Sequence, residues 1–510
     1  MQFIQGNNRE QSLLFPQSLD QIIEQDSEVR IIDLFVESIN PEDFKFNIKT
    51  TKEGRPAYHP KDLLKLFVYG YLNHIRSSRL LEKECKRNIE LMWLMKQLTP
   101  DHNTISNFRR DNEKAIGKVF RYTVSIAKQF DLIGGKLIAG DSTKLRAQNS
   151  KKNNFNENKI ERHLAYIDAK LDEYNKALAD ADEDNKKILE EEIKKHNGRK
   201  DNYQNMQRQL EQTGEPQIST SDPESRQLIT RNNITEVAYS VQTVVDAKHN
   251  LPIDYKVTNQ NDSRAMSGML RRAKTILGNT DFTALYDKGY HTGCEIKMAV
   301  TSGINIMVAI PGIASVAPDA NYNMSHFIYD EVNDTYRCPQ NQILTTNGNA
   351  YQKSKNRNFY TVKHYKTDGC LGCPARTLCT KNVKGRLIER SEFAVYVEQN
   401  RMNIEANPQI YKQRQSIVEH PYGTIKRQWG FCYVITKRGM KRASSDVGFM
   451  FIAYNLRRLM NIIDKTLLTK FLKELVFLFS KIIASVKAIT FKIQRFIFYT
   501  FPLQDILTAG

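Results

Sequence analysis

Apolar residues recur at helical spacing in Pro60-Lys61-Asp62-Leu63-Leu64-Lys65-Leu66-Phe67-Val68-Tyr69-Gly70-Tyr71-Leu72, and residues ~58 to ~130 read as helical. The turn Thr99-Pro100-Asp101-His102-Asn103-Thr104-Ile105 opens another helix, with Asp101 or Asn103 as its cap. That helix carries Arg109, Arg110, Lys114 and Lys118. The pattern changes over residues 131–310. Lys136-Leu137-Ile138-Ala139-Gly140 is a short apolar strand ending on Asp141. Residues 237–247 are β-branched and partly alternating, and a turn at Lys248-His249-Asn250 leads to a hairpin partner at 251–257. A helix follows over 263–277, then the strand Phe282-Thr283-Ala284-Leu285-Tyr286, which ends on Asp287. A helix from about Thr292 and a strand over 304–310 complete the run.

Three antiparallel strands, then helix, strand, helix and strand, predict a mixed α/β sheet. That order fits a ribonuclease H-like core. Two insertions interrupt it. In the first, about 151–216, Ile160, Leu164, Ile167, Leu171, Tyr174 and Leu178 form a heptad seam, and Leu189, Ile193, Tyr203, Met206 and Leu210 a return helix. This helical hairpin reads as a structural arm, a DNA clamp or a dimer contact. The second, 311–385, is Cys-rich. From Tyr411 the chain is helical and basic. The expected organisation is an all-α N-terminal DNA-binding or dimerisation domain (1–130), a core divided between 131–310 and 386–460, and an amphipathic C-terminal helix (461–510).

A chain of 510 residues is too long for one core, so two to four domains are expected. The net charge of +18 attracts a polyanion, with nucleic acid the default partner and a membrane surface the alternative. A basic helix after a turn suits DNA docking, and it suits equally a packing domain with a solvated basic face. No stretch reaches the ~18 consecutive apolar residues of a spanning helix. The nearest, 475–498, is interrupted by Lys481, Lys487, Lys492 and Arg495. The first residues lack a basic and apolar leader, which predicts a cytoplasmic protein, at the nucleoid when bound to DNA.

Asp141 and Asp287 each follow an apolar strand, and ligands of α/β sheets gather at that end. Phosphodiester cleavage uses acidic groups holding two divalent ions, Mg²⁺ or Mn²⁺, and oxygen ligands suit them. Glu419 lies in the most basic part of the chain, as a salt-bridge partner or as a third ligand. Lys426, Arg427, Lys437, Arg438, Lys441, Arg442, Arg457 and Arg458 follow it. The cysteines are a separate matter. Seven is an odd number, and Cys338, Cys370, Cys373 and Cys379 cluster around a C-x2-C pair. They suit a structural Zn²⁺, with His364 as a substitute ligand, or else are reduced buried thiols. Cys85, Cys294 and Cys432 read as core cysteines.

Ile138-Ala139-Gly140-Asp141-Ser142-Thr143-Lys144-Leu145 resembles the first-aspartate motif of DDE transposases from bacterial insertion sequences. Ala284-Leu285-Tyr286-Asp287-Lys288-Gly289-Tyr290 resembles their second motif. The stretch Tyr411 to Lys426 resembles their tail signature, Tyr-x2-Arg-x3-Glu-x6-Lys, with one extra residue between Arg414 and Glu419. The segment from Tyr58-His59-Pro60 to Phe108-Arg109-Arg110 is similar to their helical N-terminal domain. The resemblance implies that Asp141, Asp287 and Glu419 coordinate two ions that cleave element ends and join them to target DNA. It also implies double-stranded DNA as partner, both terminal inverted repeats and target DNA, and a homodimer in the active complex. Arg414, Lys426, Lys437, Arg438, Lys441, Arg442, Arg109 and Arg110 are then expected to contact DNA. A metal-dependent nuclease without strand transfer, and a non-catalytic DNA-binding derivative, are the alternatives.

Overall fold

The computed structural model describes residues 18–47, 56–230, 234–312, 317–355, 358–478 and 481. Its N-terminal part is a run of helices: α1 (Leu19–Ile22), α2 (Glu28–Glu37), α3 (Pro41–Phe44), α4 (Pro60–Leu72), α5 (Ser78–Cys85), α6 (Ile89–Leu94), α7 (His102–Asp111) and α8 (Glu113–Gln129). Side-chain caps fix several starts. Asn88 accepts from the amides of Glu90 and Leu91, and Asp101 from those of Asn103 and Thr104. Helix α4 is buried almost all round, which places it at the centre. Even Lys65 lies inside, its ammonium 2.6 Å from both Asp33 and Glu37 of α2.

Arg109, expected on a DNA-facing surface, points inward from α7 and is only 5% exposed. It shares the inner face with Ile105 and Phe108, one helical turn apart. Its Nη1 donates to the Tyr71 hydroxyl and the Arg76 carbonyl, both at 3.0 Å. Arg109 is therefore a structural cation and cannot reach a phosphate. Arg110 stays at the surface, paired with Asp111 at 2.5 Å.

The central sheet is built from β1 (Leu137–Arg146), β4 (Arg226–Ile229), β5 (Thr235–Asp246), β6 (Leu251–Thr258), β7 (Thr283–Tyr286) and β8 (Asn305–Val308); a short pair, β2 (Asn154–Phe155) and β3 (Ile218–Ser219), stands apart. β5 lies antiparallel to β1 along its length, from Ile138 opposite Asp246 to Arg146 opposite Ala238. The other edge of β5 is shared by β4 and β6, both antiparallel. β7 is parallel to β1, and β8 is parallel to β7. The sequence pattern anticipates this strand order, apart from β4. It places the end of β1 too early: the strand runs through Asp141 to Arg146, because β5 supplies a partner for every one of those residues.

The hairpin insertion is α9 (Glu157–Ala179) and α10 (Glu183–Thr213), the latter ended by Gly214 in the left-handed region. Phe155, Ile160 and Leu210 form a small core at its base. Helices α11 (Met266–Leu277) and α12 (Gly293–Thr301) alternate with β7 and β8. The second insertion is a feature the sequence pattern does not show: an antiparallel sheet of β9 (Ile328–Asp330), β10 (Thr335–Arg337), β11 (Ile343–Lys355), β12 (Asn358–Lys366) and β13 (Ile388–Ser391), in sequential order, with the short helix α13 (Arg376–Cys379) beside it. Helices α14 (Ala394–Ala406) and α15 (Pro408–Tyr422) follow, then a π-helical turn over Gly423–Gln428 and the helix α16 (Met440–Ile462).

Helix α16 packs against α4, α7, α8 and β6 and joins the N-terminal helices to the sheet. Phe449 stacks on Phe67 at 4.7 Å, and Phe451 on Tyr255 at 5.4 Å. Within this apolar setting lies Asp446, fully buried. It accepts from the Tyr71 hydroxyl, from Arg76 Nη2 at 2.7 Å and from the Ile435 amide at 2.8 Å. A carboxylate buried this deeply persists only with such partners. Among the described residues no helix is long and apolar enough to cross a membrane. Most of the segment 475–498 lies outside the described residues.

Candidate active site

The pairing of β1 with β7 runs from Leu137 opposite Thr283 to Ala139 opposite Leu285, an offset of 146 residues. Two places on, Asp141 continues in β1, while Asp287 is the residue just past the end of β7. Neighbouring strands lie ~4.8 Å apart. The packing beneath supports this pairing. Gly140 precedes Asp141, and Tyr286 precedes Asp287; a Cβ at Gly140 would collide with the Tyr286 ring. Only glycine lets the buried tyrosine lie across β1.

Each aspartate is then held locally. Asp141 Oδ1 accepts from the Ser142 amide at 2.7 Å. Asp287 caps the 3-10 turn that follows it, accepting from the Gly289 amide at 2.8 Å. The hydroxyl of Tyr422 donates to the Asp141 carbonyl at 3.1 Å, tying α15 to β1. Asp262, on the turn after β6, is a third carboxylate that sequence reading misses. It accepts from Lys144 Nζ at 3.0 Å and Gln242 Nε2 at 2.7 Å. Burial pushes the Asp141 carboxyl up to about 6; the Ser142 amide and Arg414 act against this, and the charges of Asp287 and Asp262 add to it.

The tail-motif residues divide between two faces of α15. Arg414 reaches the site, with Nη1 3.2 Å from Asp141 Oδ2. Tyr411 donates to the Tyr286 carbonyl at 3.0 Å. Glu419 is exposed and accepts from Gln415 on its own helix at 3.0 Å. Five residues on an α-helix turn the direction by about 140°, against about 40° for four. The extra residue between Arg414 and Glu419 thus presents the arginine to the sheet and leaves the glutamate to solvent. Among the described residues no three His, Cys, Asp or Glu side chains stand at metal-holding spacing. The structure brings Asp141 and Asp287 to adjacent positions and does not bring Glu419 to them.

The basic residues also divide. Lys426, on the π-helical turn, donates to Thr143 Oγ1 at 3.0 Å and the Lys144 carbonyl at 3.2 Å, beside the site. Lys437 and Arg438 lie in the loop before α16, Lys441 and Arg442 in its first turn, and all four lie at the surface. Arg457 and Arg458 are used internally, on Glu28 and the His249 carbonyl. Trp429 packs against Tyr454 and Phe431. The four clustered cysteines line one small cavity beside the second sheet, and none is disulfide-bonded. His364 stacks on Tyr351 at 4.3 Å and does not border that cavity.

Two family descriptions match the chain. "Transposase domain (DUF772)" covers residues 17–111, the N-terminal helices, and "Transposase DDE domain" covers residues 337–460, from the second sheet through α16. Asp141 and Asp287 lie between the two matches; Glu419 lies within the second. No curated protein matches. Among solved structures, a cryo-EM piggyBac transposase synaptic complex with hairpin DNA is similar at 9% identity and a TM-score of 0.31, over 88% of this chain and 78% of that one. So remote a likeness assigns nothing. The two transposase matches, in order along one chain, identify the protein as a DDE transposase.

Proposed function

We propose that this transposase cuts DNA at the ends of an insertion sequence and joins the freed ends to target DNA, on a ribonuclease H-like core. The observation that carries the reading is the convergence of Asp141, within β1, and Asp287, just past the end of the parallel strand β7, close enough for the charge of one to raise the carboxyl of the other. The strand order supports the fold assignment: three antiparallel strands followed by two parallel ones joined through helices.

The donor set fits divalent metal. Carboxylate oxygens suit Mg²⁺ or Mn²⁺. Asp262 and Asp287 place further carboxylate charge beside Asp141, and Arg414 is the cation that faces it. Asp141 and Asp287 would hold the ions, with Glu419 as the third ligand. When bound, the ions lower the pKa of the attacking water and neutralise charge on the leaving oxygen.

The protein's own groups do the rest. The close contact of Gly140 with the Tyr286 ring holds together the two strands that carry and precede the aspartates. Arg414 neutralises Asp141 in the absence of substrate and turns to a DNA phosphate when one enters. Lys426, beside Thr143, stabilises charge on the scissile phosphate. Lys437, Arg438, Lys441 and Arg442 grip flanking backbone, with Arg110 at the rim. The active complex is a homodimer on double-stranded DNA in the cytoplasm.

The test uses labelled element ends and target DNA with Mg²⁺ or Mn²⁺. Joined products are expected from the native chain. Asp141→Asn and Asp287→Asn should each lower cleavage by at least about a hundredfold while DNA binding persists. Cuts without joining would reduce the protein to a nuclease, and an active Asp141→Asn would remove the aspartate pair from catalysis.

A further inference from the structure

The second sheet has little to hold it together. Its buried cluster is Phe327, Tyr336, Leu344, Tyr365 and Ile388, with Cys338 and Cys379 packed against it. Apolar side chains elsewhere in the insertion face solvent, with Val332 93%, Val383 75% and Phe359 74% exposed. A core this small ordinarily needs a disulfide or a structural metal. None of the seven cysteines is disulfide-bonded.

Cys338, Cys370, Cys373 and Cys379 border a single cavity of about 20 Å³, together with Arg376 and Arg386. They arrive from two separate turns. Cys338 follows β10 in a tight turn whose Asn341 has φ 57°. The Gln342 amide donates to Cys338 Sγ at 3.3 Å, which fixes the sulfur in the turn. Cys370 and Cys373 form the C-x2-C turn, and Cys379 ends α13. Gly385, with φ +90°, lies against Cys370; a Cβ there would come within 3.2 Å of its sulfur. Arg386 Nη1 donates to the Cys379 carbonyl, while its buried Nε has no acceptor. A metal-bound thiolate would supply one.

We propose that Cys338, Cys370, Cys373 and Cys379 bind one zinc ion as four thiolates, clamping the β10 turn to the loop before β13. This goes beyond the transposition chemistry and does not depend on it. Four sulfur ligands with no open position describe a structural tetrahedral site, and soft thiolates select zinc over magnesium or calcium. Each thiol releases its proton to solvent as its S–Zn bond forms, with no redox change. The four thiolates and Zn²⁺ carry a net charge of −2, which Arg376 and Arg386 at the cavity wall offset. As they lie, the sulfurs are not at ligand spacing. They need to close on a point ~2.3 Å from each, at the cavity that all four border.

The full chain, purified without chelator, should contain about one zinc per molecule. Replacement by Co²⁺ should give thiolate charge-transfer and tetrahedral d–d absorption. Cys373→Ser and Cys379→Ser should each abolish stoichiometric zinc. Titration of the folded native chain with an organomercurial should release zinc as these thiols react, which tests the site even if the variants fail to fold. Zinc-free protein whose four thiols stay freely reactive after incubation with Zn²⁺ would overturn the proposal, as would iron in place of zinc. Either outcome would leave the aspartate-dependent cleavage assay unaffected.

Discussion

The central sheet shares one hydrophobic cluster with the N-terminal helices and α16, reaching from Ile23 to Leu472, whereas the second sheet closes over five buried side chains. The first region can therefore accommodate polar groups in its interior. Lys65, Arg109, Asp446 and the site around Asp141 are all surrounded by packed elements that hold their partners in place. In the second, chemistry capable of replacing missing apolar burial gathers at one end, as four thiols around a cavity. One region uses its core to position charge; the other would use a charged centre to supply stability.

The comparison is broken most severely at Asp446. Asp446→Ala leaves Arg76 and Arg109 buried without their carboxylate and should cost about 3–5 kcal/mol. Urea denaturation should show this loss in the main body, while zinc content stays unchanged. Loss of zinc from the Asp446→Ala chain would mean that the two regions fold as one unit.

Gly140→Ala tests whether this packing holds the aspartates together. The added methyl meets the Tyr286 ring and should cost about 1–3 kcal/mol. Cleavage should fall further than stability alone explains, and Tyr286→Leu in the same chain should restore part of both. Full cleavage by Gly140→Ala would show that the alignment tolerates strand displacement.

Replacing Lys437, Arg438, Lys441 and Arg442 together by Ala should leave stability almost unchanged, since all four lie at the surface. The log–log dependence of DNA affinity on salt should flatten by about 0.9 for each phosphate that is no longer neutralised. An unchanged slope would show that these cations face away from DNA.

The smallest effect is acid sensitivity of the helical region. Burial alone would raise the Glu37 carboxyl, but hydrogen bonds from Lys65 and Lys61 bring it down from 4.5 to about 2. A depressed folded pKa gives stability that is fully present above about 4.5 and is lost as pH falls through about 2. Glu37→Gln should flatten that acid limb in a pH series of thermal melts. The second sheet should respond instead to a zinc chelator, at a pH that leaves Glu37 ionised. A single coincident transition would contradict the division between the regions.

Much of the site was legible because its signals are local. Alternation and β-branching mark β1, β5, β6 and β7, and Asp101 marks the start of α7. The two aspartates stand out because each follows a short apolar run. Asp262 carries no such signal: it sits in a polar turn and reaches the site only because β6 folds back beside β5. The second sheet escaped notice because its strands are polar on much of their surface and its core is small. Arg109 misled because a cation on an amphipathic helix ordinarily faces water.

The sequence by itself determined which residues could act: the acids, the cysteines, the basic tail and the helical and strand segments that carry them. These follow from periodicity and from chemistry confined to a few neighbouring residues. Only the tertiary structure decided where those groups point. The parallel pairing of β1 with β7 brought Asp141 and Asp287 together, and helix phase sent Arg414 toward the sheet and Glu419 toward solvent. Asp446, from the far end of the chain, turned Arg109 into an interior partner. Register, helix phase and burial depend on packing between segments hundreds of residues apart, and no local window of sequence contains them.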